Sequence, residues 1–135
     1  MSRVLVDASP LVAMLDRGDA DHARCIETAR TLRGTFISTW SVITEACYLL
    51  AEQRSGQDAL LTRIESGDLV IDPLGVDDLP GLRTLLKKYR DVPMDLADAT
   101  LVRVAEREGI DDIFTLDHHF RVYRTHRRRA FAVIP

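Results

Sequence analysis

Thiols are scarce in this sequence. Its 135 residues hold two cysteines, Cys25 and Cys47, without CxxC spacing, which argues against a disulfide framework and a thiolate-rich metal site. Both fall in stretches that read as helical, so they are expected to be reduced core residues, as suits a cytoplasmic protein. No apolar run approaches the ~20 residues needed to span a bilayer. The N-terminal "MSRVLVDASPLVAML" is broken by Asp7 and Pro10, lacks a small-residue cleavage site and runs into the charged "DRGDADHAR". Neither a signal peptide nor a membrane association is therefore expected. An excess of positive charge is also missing: 18 Lys and Arg stand against 21 Asp and Glu, for a formal charge of -3. That balance excludes wholesale, histone-like binding of nucleic acid but leaves room for a local basic patch. Repeats, low-complexity tracts and linkers are absent too, and this length with 46% hydrophobic residues predicts one domain over 1–135.

What is present is a regular alternation. "RVLVD" (3–7) has the short, β-branched apolar character of a strand buried on both faces. Ser9 followed by Pro10 predicts a helix start, and a second helix is expected from about Asp21 to Gly34. "TFIST" (35–39) reads as a second strand, followed by Ser41 as cap of the helix "VITEACYLLAEQR", which closes before Gly56. "LLTRIESG" reads as a short helix, "LVIDPL" as a third strand and "DDLPGLRTLLKKYRD" as a helix. A further helix is expected from Asp95 to about Glu108 with Gly109 as its stop, then "DIFTLD" as a fourth strand and "FAVIP" as a short last one. This order predicts a three-layer α/β/α sandwich around a central, mainly parallel sheet of four to five strands.

In such sheets the ligand crevice lies beyond the carboxyl ends of the strands. Asp7 ends the first strand, Asp117 ends the fourth, and Glu45 lies about one turn into the helix after the second. The helix in "MDLADATLVRVAERE" adds Asp98. At about 100° per residue, Asp98 shares a stripe with Leu101, Val102 and Ala105, opposite Arg103 and Arg107. A carboxylate on that apolar side must be paired, hydrogen-bonded or metal-bound. Each acid also has a plain structural reading. Asp95 can cap the helix with Asp98 reaching back to it as a capping box, Asp7 can be a turn residue, and Asp117 can cap a short helix. Convergence of four acids on one rim favours a site for a hard divalent cation, Mg2+ or Mn2+. Such an ion offsets the mutual repulsion and suits hydrolysis of a phosphate ester.

The order and spacing of these segments resemble the PIN-domain ribonucleases, in particular the VapC-type toxins of toxin-antitoxin pairs. "VLVDASPLVAML", "STWSVITEACYLL", "MDLADATLVRVAE" and "IFTLDHHF" are similar to the four motifs of that family, and together they run the length of the chain. The resemblance implies Asp7 and Asp98 as principal metal ligands, with Glu45 and Asp117 completing the site directly or through water. It further implies supporting roles for the hydroxyls of Ser9 and Thr115, with Asp95 as a variable, capping position. Also implied are Mg2+- or Mn2+-dependent endonucleolytic cleavage of RNA, a homodimer, and a small cognate antitoxin that fills the active-site groove.

The one strongly basic stretch, "YRTHRRR" (123–129), reads either as an RNA contact through Arg124, Arg127, Arg128 and Arg129 or as a solvated loop. His118 and His119, adjacent and so divergent on a helix, are read as surface residues rather than joint ligands. Trp40 and Tyr48 are read as core or interface residues. A haloacid-dehalogenase-like phosphatase would need an acid where Ser9 stands, and a receiver domain would need an acidic pair and a lysine that do not appear. The remaining alternatives are a non-toxin PIN nuclease in RNA processing and a catalytically silent module that binds RNA or protein. Retention of all four acids argues against the last.

Overall fold

The computed structural model describes residues 2–125 and 128–135. Five short strands form its sheet: β1 (Arg3–Val6), β2 (Thr35–Ser38), β3 (Leu69–Ile71), β4 (Asp112–Phe114) and β5 (Ala132–Ile134). They lie in the order β3-β2-β1-β4-β5 with every pairing parallel. The connections run through α1 (Ala8–Leu15), α2 (His22–Thr31), α3 (Trp40–Leu49), α4 (Arg54–Glu65), α5 (Leu79–Lys88) and α6 (Leu96–Glu108). Helix α1 packs on α2, α3 and α4, whereas α6 packs on α5 and reaches α3. The sheet is thus flanked by helices as a three-layer α/β/α sandwich, and the expected parallel core is present.

Strand composition explains the layering. Val4, Leu5 and Val6 at the sheet centre are at most 2% exposed, and Ile113 and Phe114 beside them are fully buried. Covering on both faces is what a continuous apolar strand requires. Because β1 sits mid-sheet, with β2 and β4 as its neighbours, the order of strands reverses there. The carboxyl end of β1 is therefore the crevice of the fold.

Helix boundaries depart from expectation where a nearer oxygen wins the cap. Asp7, not Ser9, caps α1, its carboxylate accepting the Ala8 N–H at 2.8 Å. Thr39, not Ser41, caps α3 by accepting the Val42 N–H. The chain leaves α3 at Leu49, and Gly56 lies inside α4 instead of ending a helix. A Cβ there would stand 3.1 Å from the Leu15 carbonyl oxygen, so glycine serves the close approach of α4 to α1. Gly34 has the more severe constraint: its φ is +114° and a Cβ would meet the Ser2 carbonyl oxygen at 2.0 Å.

A carboxylate far from the β1 crevice holds α6 in place. Asp78, 5% exposed, accepts from Arg103 Nε at 3.0 Å, from Arg107 at 2.9 and 3.0 Å, and from the Gly75 N–H at 3.0 Å. Arg107 also pairs with Asp72. The two guanidiniums and the Gly75 N–H hold the Asp78 carboxyl below its usual pKa, against the effect of its burial. A lowered folded value means stability that is present above the unfolded pKa and lost as pH falls through the folded one. Asp78→Ala should therefore cost about 2 kcal/mol by denaturant unfolding at neutral pH, since it strands two partly exposed arginines. The cost should shrink as the pH is lowered.

Candidate active site

Three carboxylates meet at the crevice. Asp7, Asp98 and Asp117 each bring one ligand oxygen to within 4.8 Å of the others. They come from the end of β1, the first turn of α6 and the cap of a 3-10 turn (His118–Arg121) after β4. Asp7 is 5% and Asp98 9% exposed; Asp117 is half-buried.

Short hydrogen bonds fix each acid. Asp7 continues the β1–β4 pairing through its N–H to the Phe114 carbonyl at 3.0 Å. Its Oδ1 caps α1, and its Oδ2 accepts the Thr115 hydroxyl at 2.8 Å. The same Thr115 oxygen accepts the Asp117 N–H at 2.9 Å, while Ser9 Oγ accepts the Leu116 N–H at 3.1 Å. The two hydroxyls thus bind the 115–117 segment to the start of α1. At α6 the capping box is complete: Asp95 Oδ1 accepts the Asp98 N–H at 2.8 Å, and Asp98 Oδ2 accepts the Asp95 N–H at 3.1 Å. Capping and membership of the acidic cluster, alternatives in the sequence, are both true of Asp98.

Glu45 lies outside the three-oxygen grouping but inside its field. A buried hydrogen bond of 2.8 Å between the hydroxyls of Thr39 and Thr100 joins the start of α3 to α6, which turns the first half of α3 toward the acids. Burial, then the negative charges of Asp95, Asp7 and Asp117, raise the Glu45 pKa. Burial raises that of Asp7, opposed by the Thr115 and Ala8 hydrogen bonds and reinforced by Asp117 and Asp95. Asp98 is pushed up to about 8, by burial first, with the charges of Asp95, Asp7 and Asp117 adding to it against the Asp95 N–H. Hard oxygens that resist ionisation together are a donor set that could hold a metal ion.

The basic stretch is mostly turned to other tasks. Arg124 donates to the carbonyls of Arg121 and Tyr123. Arg129 pairs with Asp111, just ahead of β4 and so at the end of the sheet away from the acids, while Arg128 is exposed with φ +61°. Arg127 lies outside the described residues. Arg24 and Arg121 line a cavity of about 100 Å³ together with Asp117, Thr115 and His118. Neither stands in a basic run, so only the fold reveals them. Tyr123 was also missed: fully buried, it donates its hydroxyl to the Pro93 carbonyl ahead of α6. Burial and the charges of Asp98, Asp117, Asp95 and Asp7 raise its pKa. Trp40 and Tyr48 are exposed, at 57% and 79%, so neither is a core residue.

Comparison with known proteins bears on the fold that carries these residues. The family model for the PIN domain matches residues 4–125. Ribonuclease VapC26 of Mycobacterium tuberculosis is 30% identical over 136 residues, covering 98% of this chain and 100% of that one. Among solved structures, Mycobacterium tuberculosis VapC20, a sarcin-ricin loop cleaving toxin, matches with a TM-score of 0.76 at 20% identity, over 84% of this chain and 89% of its own. VapBC2 from Rickettsia felis, bound to a DNA fragment from its promoter, matches with a TM-score of 0.65 at 13% identity, over 97% and 96%. At these identities the two structures speak to the fold alone.

The raised carboxyls give the metal-free protein a pH signature. A folded pKa above the unfolded one means that stability is greatest below the unfolded value and falls as pH rises toward the folded value. In EDTA, the unfolding midpoint should fall steadily from about pH 4.5 to about pH 8. Asp98→Asn should flatten much of that slope, and a saturating divalent cation should reverse it, as followed by thermal melts at each pH.

Proposed function

The chain belongs to the PIN-domain family, as a VapC-type ribonuclease, and on that footing we propose that it is the toxin of a toxin-antitoxin pair, cutting RNA endonucleolytically with Mg2+ or Mn2+. The observation that carries this reading is the meeting of Asp7, Asp98 and Asp117 at the crevice of a parallel sheet, with Glu45 in their field. An all-oxygen donor set with no thiolate fits Mg2+ or Mn2+ better than softer ions. Asp7 and Asp98 would be the principal ligands, Asp117 a third, and Glu45 would take part through water. When bound, the cation supplies positive charge against the charge that builds on the phosphodiester, and acidifies water.

The protein's own groups do the rest. Glu45, in the field of these acids, would hold a water and accept its proton. Thr115 and Ser9 act at one remove, by holding Asp7 and the 115–117 segment in register. Asp95 acts as the cap that fixes the first turn of α6. Arg24 and Arg121, which line one cavity with Asp117, offer guanidinium to the RNA backbone, with exposed Arg128 further off; Arg124 and Arg129 are occupied within the chain. Their attraction for phosphate weakens with salt.

The proposed partners follow from the same reading: RNA, a small cognate antitoxin and a second copy of the chain, within the cytoplasm. Among the described residues, no helix is long and apolar enough to cross a membrane. The antitoxin would fill the crevice at the acids; the apolar groove of about 440 Å³ lined by Leu11, Met14, Ile26, Phe36 and Leu60 holds none of them. Exposed Trp40, Val76, Leu79 and Leu96 give a second copy apolar surface to cover.

Purified protein should cleave RNA with Mg2+ or Mn2+ and stop in EDTA, and Asp7→Asn or Asp98→Asn should each lower the rate at least about a hundredfold. Cleavage that persists in both variants and in EDTA would contradict the metal mechanism. Expression without the antitoxin should arrest growth; a chain that cuts RNA in vitro without arresting growth would be a processing nuclease instead.

A further inference from the structure

Asp117, His118 and His119 form a second grouping of metal-ligating side chains. One donor atom from each lies within 4.8 Å of the others. Consecutive side chains on an α-helix diverge by about 100°, which is why the sequence keeps the two histidines apart. A 3-10 turn sets successive side chains about 120° apart, so it is side-chain conformation and not backbone spacing that brings the two imidazole rings to centroids 4.3 Å apart, with Asp117 capping the turn. His119 is held in place: its Nδ1 is 2.8 Å from Asp117 Oδ1, and its ring stacks on Tyr123 with centroids 6.5 Å apart. His118 is exposed, so it can rotate to close the remaining distance.

Two ligands of a tetrahedral cation bonded at about 2.1 Å stand about 3.4 Å apart, so the hydrogen-bonded pair Asp117 Oδ1 and His119 Nδ1, at 2.8 Å, needs to open only by about half an ångström. We propose that Asp117, His118 and His119 form a binding site for a borderline transition-metal cation, Zn2+, Co2+ or Ni2+, separate from the three-carboxylate site though sharing Asp117 with it. Two imidazoles and one carboxylate, with coordination positions left for water, are the donors such ions take. Arg24 and Arg121 line the adjoining cavity with His118. Their charge works against an ion held by charge alone, so bonding to imidazole nitrogen selects these ions over Mg2+. On binding, the cation replaces the proton between Nδ1 and Oδ1. That proton passes to Nε2, and the neutral histidine stays neutral.

The consequence for activity rests on the nuclease reading above. With Oδ1 of Asp117 engaged by the second cation, only its other oxygen serves the carboxylate site, so Zn2+ slows Mg2+-dependent cleavage.

The binding claim is tested without RNA. Zn2+ uptake by the full chain is measured by competition with a chromophoric chelator in excess Mg2+. The wild type should take up one Zn2+ that Mg2+ does not displace. His118→Ala should weaken that affinity at least about tenfold, and His119→Gln should do the same. Asp7→Asn, which removes one nearby negative charge, should weaken Zn2+ binding far less than His118→Ala does, while weakening Mg2+ binding. His118 is exposed, so its replacement leaves the fold intact, and a circular dichroism melt verifies this. No saturable Zn2+ uptake by the wild type, equal affinity in wild type and His118→Ala, or loss of the ion in Asp7→Asn overturns the proposal. Zinc uptake by a chain that never cleaves RNA would sink the nuclease reading and leave the site standing.

Discussion

Like charges brought together at low solvent exposure set the terms for this molecule. Asp7, Asp98 and Asp117 are close enough to share an ion, and Asp95 and Glu45 add to their field. Repulsion and desolvation both oppose ionisation there. The rest of the architecture can be understood as what holds such a cluster closed. The apolar strands β1 and β4 pair so that Asp7 bonds directly to Phe114, and Thr115 turns one hydroxyl into a bridge between Asp7 and the main chain of Asp117. The covering helices then bury the ends of those strands.

Two clamps keep α6 from relieving the strain by moving away. At its start, the reciprocal Asp95–Asp98 capping bonds fix the first turn, and the Tyr123 hydroxyl holds the preceding Pro93 carbonyl. Further along, Asp78 grips Arg103 and Arg107. Asp78 and Asp98 are both buried acids, yet their pKa values shift in opposite directions. Burial pushes both up first; at Asp98 other carboxylates add to it, whereas at Asp78 the Gly75 N–H and two arginines outweigh it. That contrast separates a structural carboxylate from a candidate ligand better than burial does.

Much of this was legible in the sequence. Apolar β-branched runs set between amphipathic stretches gave away the parallel sheet, and an acid after a buried run locates the rim in such a fold. The helical stripe placed Asp98 on the inner side of α6, where it lies. Caps were harder, because Ser9 and Asp7 compete for one N-terminus and the winner depends on the strand end that presents Asp7. The basic run shows a related limit: Arg129 meets Asp111 across a distance in sequence that no local pattern reports. Arg24 and Arg121 line one cavity with Asp117 from separate elements, and the rings of the adjacent histidines meet through side-chain conformation, which residue spacing does not report.

The central claim is that the buried acids exist to hold a divalent cation. Anomalous X-ray diffraction at the manganese edge, from crystals grown with Mn2+, tests it directly. A peak bonded to carboxylate oxygens of both Asp7 and Asp98, at about 2.1–2.3 Å, is the predicted result. Clear density for these side chains with saturating Mn2+ and no anomalous peak between them would contradict it.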